Sequence, residues 1–70
     1  MSGRKKWRLR LIPPFRNVSA SSKVDAYRTV EGYRQDYALG LGYVHRIIVE
    51  VDEGHGWRLY EHVVFPERGA

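Results

Sequence analysis

Between residues 43 and 65 the chain reads YVHRIIVEVDEGHGWRLYEHVVF, two apolar runs on either side of Gly54-His55-Gly56. Strand side chains alternate between two faces, and two such runs joined by a glycine turn predict a β-hairpin. In the first run Tyr43, His45, Ile47, Val49 and Val51 share one face. Val44, Arg46, Ile48, Glu50 and Asp52 share the other. In the second run Trp57, Leu59, Glu61, Val63 and Phe65 fall together. Apolar matching favours a loop of three residues, or five, with Gly56 supplying a positive φ. A three-residue loop sets Glu53 opposite Trp57, Val51 opposite Leu59 and Ile47 opposite Val63. One residue more or fewer turns Leu59 and Val63 to the wrong face.

The rest of the chain supplies a strand and a helix. Trp7, Leu9 and Leu11 alternate with Arg8 and Arg10, which reads as a half-buried strand with arginines outward. Pro13-Pro14 ends it, and residues 15–22 read as a serine-rich loop. Ser22 followed by Asp25 resembles a capping box, so a helix runs from there to Leu39. Its apolar stripe is Ala26, Val30, Tyr33, Tyr37 and Leu41, and Gly40 or Gly42 stops it. Gly32 costs this helix about 1 kcal/mol against alanine. A competing reading makes residues 23–27 a short strand, with Thr29 capping a shorter helix. The expected fold class is α+β: a small three-stranded, mainly antiparallel sheet, in the order strand, helix, strand, strand, with one helix packed on one face. Residues 1–6 read as a flexible basic N-terminus, 7–66 as a single domain and 67–70 as a tail.

Seventy residues hold one domain with a small core. There is no cysteine, so neither a disulfide nor a thiolate metal site can staple it. Nine aromatic residues (two Trp, five Tyr, two Phe) compensate in area. No apolar run approaches a membrane span, and no signal region follows the basic start, so a membrane is not an expected partner. Without a signal peptide, Asn17-Val18-Ser19 is a chance match to the glycosylation sequon.

The net charge of +4 is unevenly placed. Arg4, Lys5, Lys6, Arg8, Arg10 and Arg16 fall in the first 16 residues, with no acid among them. Arginines along a strand, with Trp7 beside them, suit phosphates, so these six are the nucleic-acid candidates. The bland alternative is an edge strand protected by charge. His45, His55 and His62 do not converge on a metal in this register. Glu50, Asp52, Glu53 and Glu61 have no nucleophile or phosphate loop beside them, so neither an enzyme nor a cofactor is expected. Glu61 is expected at a sheet margin, meeting Arg46 or Arg34.

A sheet with one helix leaves one face uncovered. The protein-interface candidates on it are Val44, Arg46, Ile48, Arg58, Tyr60 and Val64, an apolar centre with an arginine rim. Scattered surface apolars are the bland alternative. Two segments, KWRLRLIPPFRNVSASSKV and VEVDEGHGWRLYEHVVF, resemble the small, uncharacterised proteins of actinobacterial phages, mycobacteriophages above all. The resemblance implies a short accessory protein in the cytoplasm of a bacterial host, binding a host or phage macromolecule, and it carries no active site. The expected function is a non-enzymatic protein–protein interaction module working through the uncovered face or an edge strand. Its partner is a host or phage protein or a second copy in a homodimer. The alternative is a nucleic-acid-binding module using the basic N-terminal strand.

Overall fold

The computed structural model describes residues 5–13 and 15–66. Arg4, Pro14 and the expected tail at 67–70 lie outside them, as does most of the expected flexible start. The elements are β1 (Lys6–Ile12), β2 (Arg16–Ala20), α1 (Lys23–Ala38), β3 (Arg46–Asp52) and β4 (Trp57–Val64). They form an α+β fold with a four-stranded sheet of order β2-β1-β3-β4, antiparallel at every pairing. Because β2 and β3 both run against β1, they run parallel to each other. The helix therefore makes a crossover that straddles β1.

The sheet has one strand more than the three expected, and β2 is the addition. Residues 15–22 read as a loop because serine and asparagine have low strand propensity. Pairing with β1 overrides that preference, with Trp7 opposite Ala20 and Leu11 opposite Arg16. Val18 and Ala20 pack beneath the helix while Asn17 and Ser19 point away. Pro13 sits in the turn of a hairpin and does not mark the end of a ribbon.

The helix follows the longer of the two readings. Ser22 Oγ accepts from Asp25 N at 3.1 Å, and Asp25 Oδ2 accepts from Ser21 N at 3.0 Å and Ser21 Oγ at 3.2 Å. This is a capping box displaced by one residue. At the other end Leu41 N donates to Asp36 O and Gly40 N to Tyr37 O, with Gly40 at φ 78°. That is a Schellman stop, in which glycine adopts the left-handed conformation without a Cβ clash. Ala26 and Val30 are buried, Tyr33 and Tyr37 pack at the margin, and Leu41, beyond the stop, is exposed.

The core is one layer. Trp7, Leu9 and Leu11 from β1 and Ile47, Val49 and Val51 from β3 face Ala26 and Val30, with Val44 and Phe65 closing one end. The expected phase breaks before Arg46. Residues 43–45 are not strand, so Val44 is buried and Tyr43 exposed, the reverse of strict alternation.

The β3–β4 hairpin forms, but its loop has four residues, 53–56. Asp52 pairs with Trp57, Val51 with Arg58 and Glu50 with Leu59. Then Tyr60 is skipped, and Val49 pairs with Glu61 and Ile47 with Val63. The longer loop is held by Asp52, whose Oδ1 accepts from Gly54 N at 2.7 Å and Gly56 N at 3.1 Å. Both glycines have positive φ, 111° and 103°. It turns Leu59 away from the helix, as a one-residue change must. The bulge at Tyr60 restores Val63 to the core side, so the expected Ile47–Val63 pair survives and the Val51–Leu59 pair does not.

Two outcomes follow from this register. Leu9→Ala should cost about 2–5 kcal/mol in denaturant unfolding, because a fully buried leucine leaves a cavity. Leu59→Ala should stay within about 0.5 kcal/mol of the parent, since Leu59 lies on the surface; the register of a three-residue loop, with Leu59 opposite Val51, requires a core-sized loss.

The loop also sets an acid response. The amides of Gly54, then Gly56, hold the Asp52 carboxyl below its ordinary value, and Lys5, then Arg58, does the same for Glu53. With both folded values depressed, their stabilisation is fully present above about pH 4–5 and is lost as pH falls through the lowered values. Thermal unfolding should therefore show a falling midpoint below about pH 4, with a shallower slope in Asp52→Asn.

Candidate functional site

Alternation sorts the sheet into a helix side and an open side. Arg8, Arg10 and Ile12 of β1 lie on the open side, opposite in phase to Leu9 and Leu11. Arg46, Ile48 and Glu50 join them from β3. The four-residue loop sets Trp57 and Leu59 of β4 on the same face, and the bulge adds His62 and Val64 to it.

At the centre is Glu50, with its side chain only 12% exposed. It stands directly opposite Arg8 across the ladder. Arg8 donates from Nε at 2.9 Å and Nη2 at 2.7 Å to Oε1, while Arg10 Nη1 reaches Oε2 at 3.5 Å. The Arg8 guanidinium lies 4.2 Å from the centroid of the Trp57 ring and that of Arg10 4.7 Å from Phe15. Trp57, Arg8, Glu50, Arg10 and Phe15 therefore form a continuous row, with alternate charges near the centre and a ring at each end. Planar guanidinium groups can stack on a ring and bind a carboxylate at once. Arg10 Nε is buried and has no hydrogen-bond partner among the described residues.

Around this row the face is apolar. Leu59 is 63% exposed, Val64 59% and Phe15 64%, with Ile48 half-buried between them. Arg46 is exposed beside Val64 and opposite Ile12. Its side chain makes no hydrogen bond or ion pair among the described residues.

Of the interface candidates, Arg46, Ile48 and Val64 occupy the open side as expected. Val44 does not; it is in the core. Tyr60 does not either. As the bulge residue it lies on the helix side, edge-on to Trp7 at 5.0 Å and 6.4 Å from Tyr27, with the Lys23 ammonium 5.1 Å away. Arg58 pairs with buried Val51 across the ladder and binds Glu53 Oε1 at 2.6 Å, away from the patch. Their places are taken by Leu59, Trp57 and Phe15. The available signal was Asp52 with glycines two and four residues on, the pattern of a side-chain-closed loop longer than three residues.

The nucleic-acid candidates are dispersed. Arg8 and Arg10 share Glu50, and Lys6 begins β1 opposite Asp52. Lys5 Nζ binds Glu53 at 3.3 Å, and Arg16 Nη2 donates to Tyr33 Oη at 3.1 Å on the helix side. Arg4 lies outside the described residues. Glu61 meets neither Arg46 nor Arg34. It accepts from Tyr27 Oη at 2.5 Å, and the Tyr27 hydroxyl is pushed well above its usual range by burial first and then by Glu61. Among the described residues no group of three or more histidine or acidic side chains is placed to hold a metal ion. No helix among them is long and apolar enough to cross a membrane.

No family model, curated protein or solved structure matches the chain.

Glu50→Ala should lower stability by about 1–3 kcal/mol in denaturant unfolding, because two half-buried guanidinium groups lose their shared acceptor. Glu31→Ala, which breaks an exposed pair with Arg34 on the helix, should change it by no more than about 0.5 kcal/mol. Equal effects would contradict a structural role for the central carboxylate.

Proposed function

We propose that the protein is a small, non-enzymatic accessory protein of the phage type, which binds another protein through the open face of its sheet in the bacterial cytoplasm. The observation that carries this reading is the exposure of Leu59, Val64 and Phe15 around a half-buried arginine–glutamate network. An apolar patch with aromatic and arginine side chains is the composition of protein interfaces. The fixed row beneath it supplies the pre-ordering that lowers the entropic cost of binding. The face has more support than the edges: β2 has only five residues and β4 is bulged, and short or bulged edges resist strand addition. The two segments that resemble actinobacterial phage proteins support the cellular setting.

A nucleic-acid reading has one observation in its favour, the two arginine–ring pairs on an open sheet. It has less support because Glu50 already neutralises part of that charge and because Lys5 and Arg16 are engaged elsewhere.

A photo-crosslinking side chain at Leu59 should trap a discrete protein in producing bacteria. The same side chain at Gln35, on the exposed helix surface, should not. Untagged parent should compete away the Leu59 product, and Leu59→Asp plus Val64→Asp should compete at least about tenfold less well. Equal trapping at both positions, or none at Leu59, would overturn the reading.

A further inference from the structure

The open face carries enough charge information to narrow its partner, and this step rests on the protein-binding reading above. Three guanidinium groups, those of Arg8, Arg10 and Arg46, share the face with one carboxylate directed onto it, Glu50. Asp52 does not add to the balance, because its carboxylate turns into the loop and accepts from Gly54 and Gly56 while Lys6 stands opposite it. The apolar patch is thus embedded in a surplus of two positive charges. That surplus sits at one end. Arg8 satisfies Glu50 with two nitrogens, whereas Arg10 reaches it only at 3.5 Å and the Arg46 guanidinium has no partner among the described residues. Arg10 pairs with Ile48 and Arg46 with Ile12, so the two arginines are diagonal neighbours on one face. Such neighbours stand roughly 7–8 Å apart at the backbone, and the long 3.5 Å contact of Arg10 with Glu50 leaves its flexible head group able to turn toward a carboxylate brought in beside Arg46.

This arrangement argues against a second copy. Stacking two open faces would bury like charge against like charge, and such juxtaposition costs affinity. It also argues against a single-stranded nucleic acid. The rings that would stack bases, Trp57 and Phe15, each already have a guanidinium on one face, and Glu50 interrupts the basic row between them.

We infer that the occupant of the open face is an acidic, leucine- or valine-bearing segment of another protein. One of its carboxylates binds between Arg10 and Arg46, and its apolar side chains lie over Ile48, Leu59 and Val64.

The test uses the full-length chain, followed by amide NMR, with three probes. They are a capped decapeptide of alternating leucine and glutamate, its leucine–glutamine twin, and a single-stranded oligothymidylate. The acidic peptide should shift Arg10, Arg46, Ile48, Leu59 and Val64 saturably, and the glutamine twin should bind at least about tenfold more weakly. Arg46→Ala should weaken the acidic peptide by about tenfold, while Arg28→Ala on the exposed helix surface leaves it unchanged. Equal affinity for both peptides would overturn the acidic requirement and leave the protein-binding face standing. Tighter binding of the oligonucleotide at the same residues, or dimerisation of the free chain through them, would overturn the inference in favour of phosphate or of self. Absence of any shift on the face at millimolar peptide would also overturn it, and the Leu59 crosslink then decides separately whether the face binds protein at all.

Discussion

The alternation along β1 governs the molecule. This strand is central, with β2 on one flank and β3 on the other, so its phase is imposed on both neighbours through the ladder. Trp7, Leu9 and Leu11 commit one side to the helix, and Arg8 and Arg10 commit the other to charge. Neither choice is available without the other, since a shift of one residue exchanges the two sets completely. With a single apolar layer and no disulfide, the domain has no reserve with which to absorb such an exchange.

The same phase explains the electrostatics of the open side. An arginine pointing away from a core would ordinarily be a solvated surface residue of little energetic weight. Here β3 places Glu50 directly opposite Arg8 and within reach of Arg10, and the rings of Trp57 and Phe15 shelter both guanidinium groups. Sheltering strengthens the pairing and fixes the side chains, which turns a charged surface into a shaped one. The four-residue loop contributes from a distance, because without the added residue and the bulge that corrects it, Trp57 and Leu59 would lie beneath the helix.

What could be read in advance was whatever a period of two or of 3.6 reports. The strand around Leu9, the hairpin, the capped helix and its stripe of Ala26, Val30, Tyr33 and Tyr37 all follow from repetition of side-chain type. What escaped was whatever depends on a partner. Residues 16–20 become a strand only because β1 offers them a ladder. Tyr60 changes sides because the backbone inserts one residue, an event that leaves the alternation of letters intact while altering its meaning. Val44 is buried because the strand begins three residues later than the apolar run. Half of the candidate interface moved for these last two reasons, together with the reorientation of Arg58. The arginines whose position depended only on the phase of β1 and β3 stayed where alternation put them.

The straddling helix has a consequence for how the chain acquires its shape. The first hairpin can close as soon as β2 exists, and the last can close by itself, but the ladder between β1 and β3 must wait for α1 to carry the chain across. Until then Leu9 and Ile47 each face water, and neither half of the sequence owns a complete interior. Folding is therefore a single joining event between two local ribbons, its tempo set by closing the segment that contains the helix. A break in the exposed stretch after that helix would leave two fragments, each supplying what the other lacks.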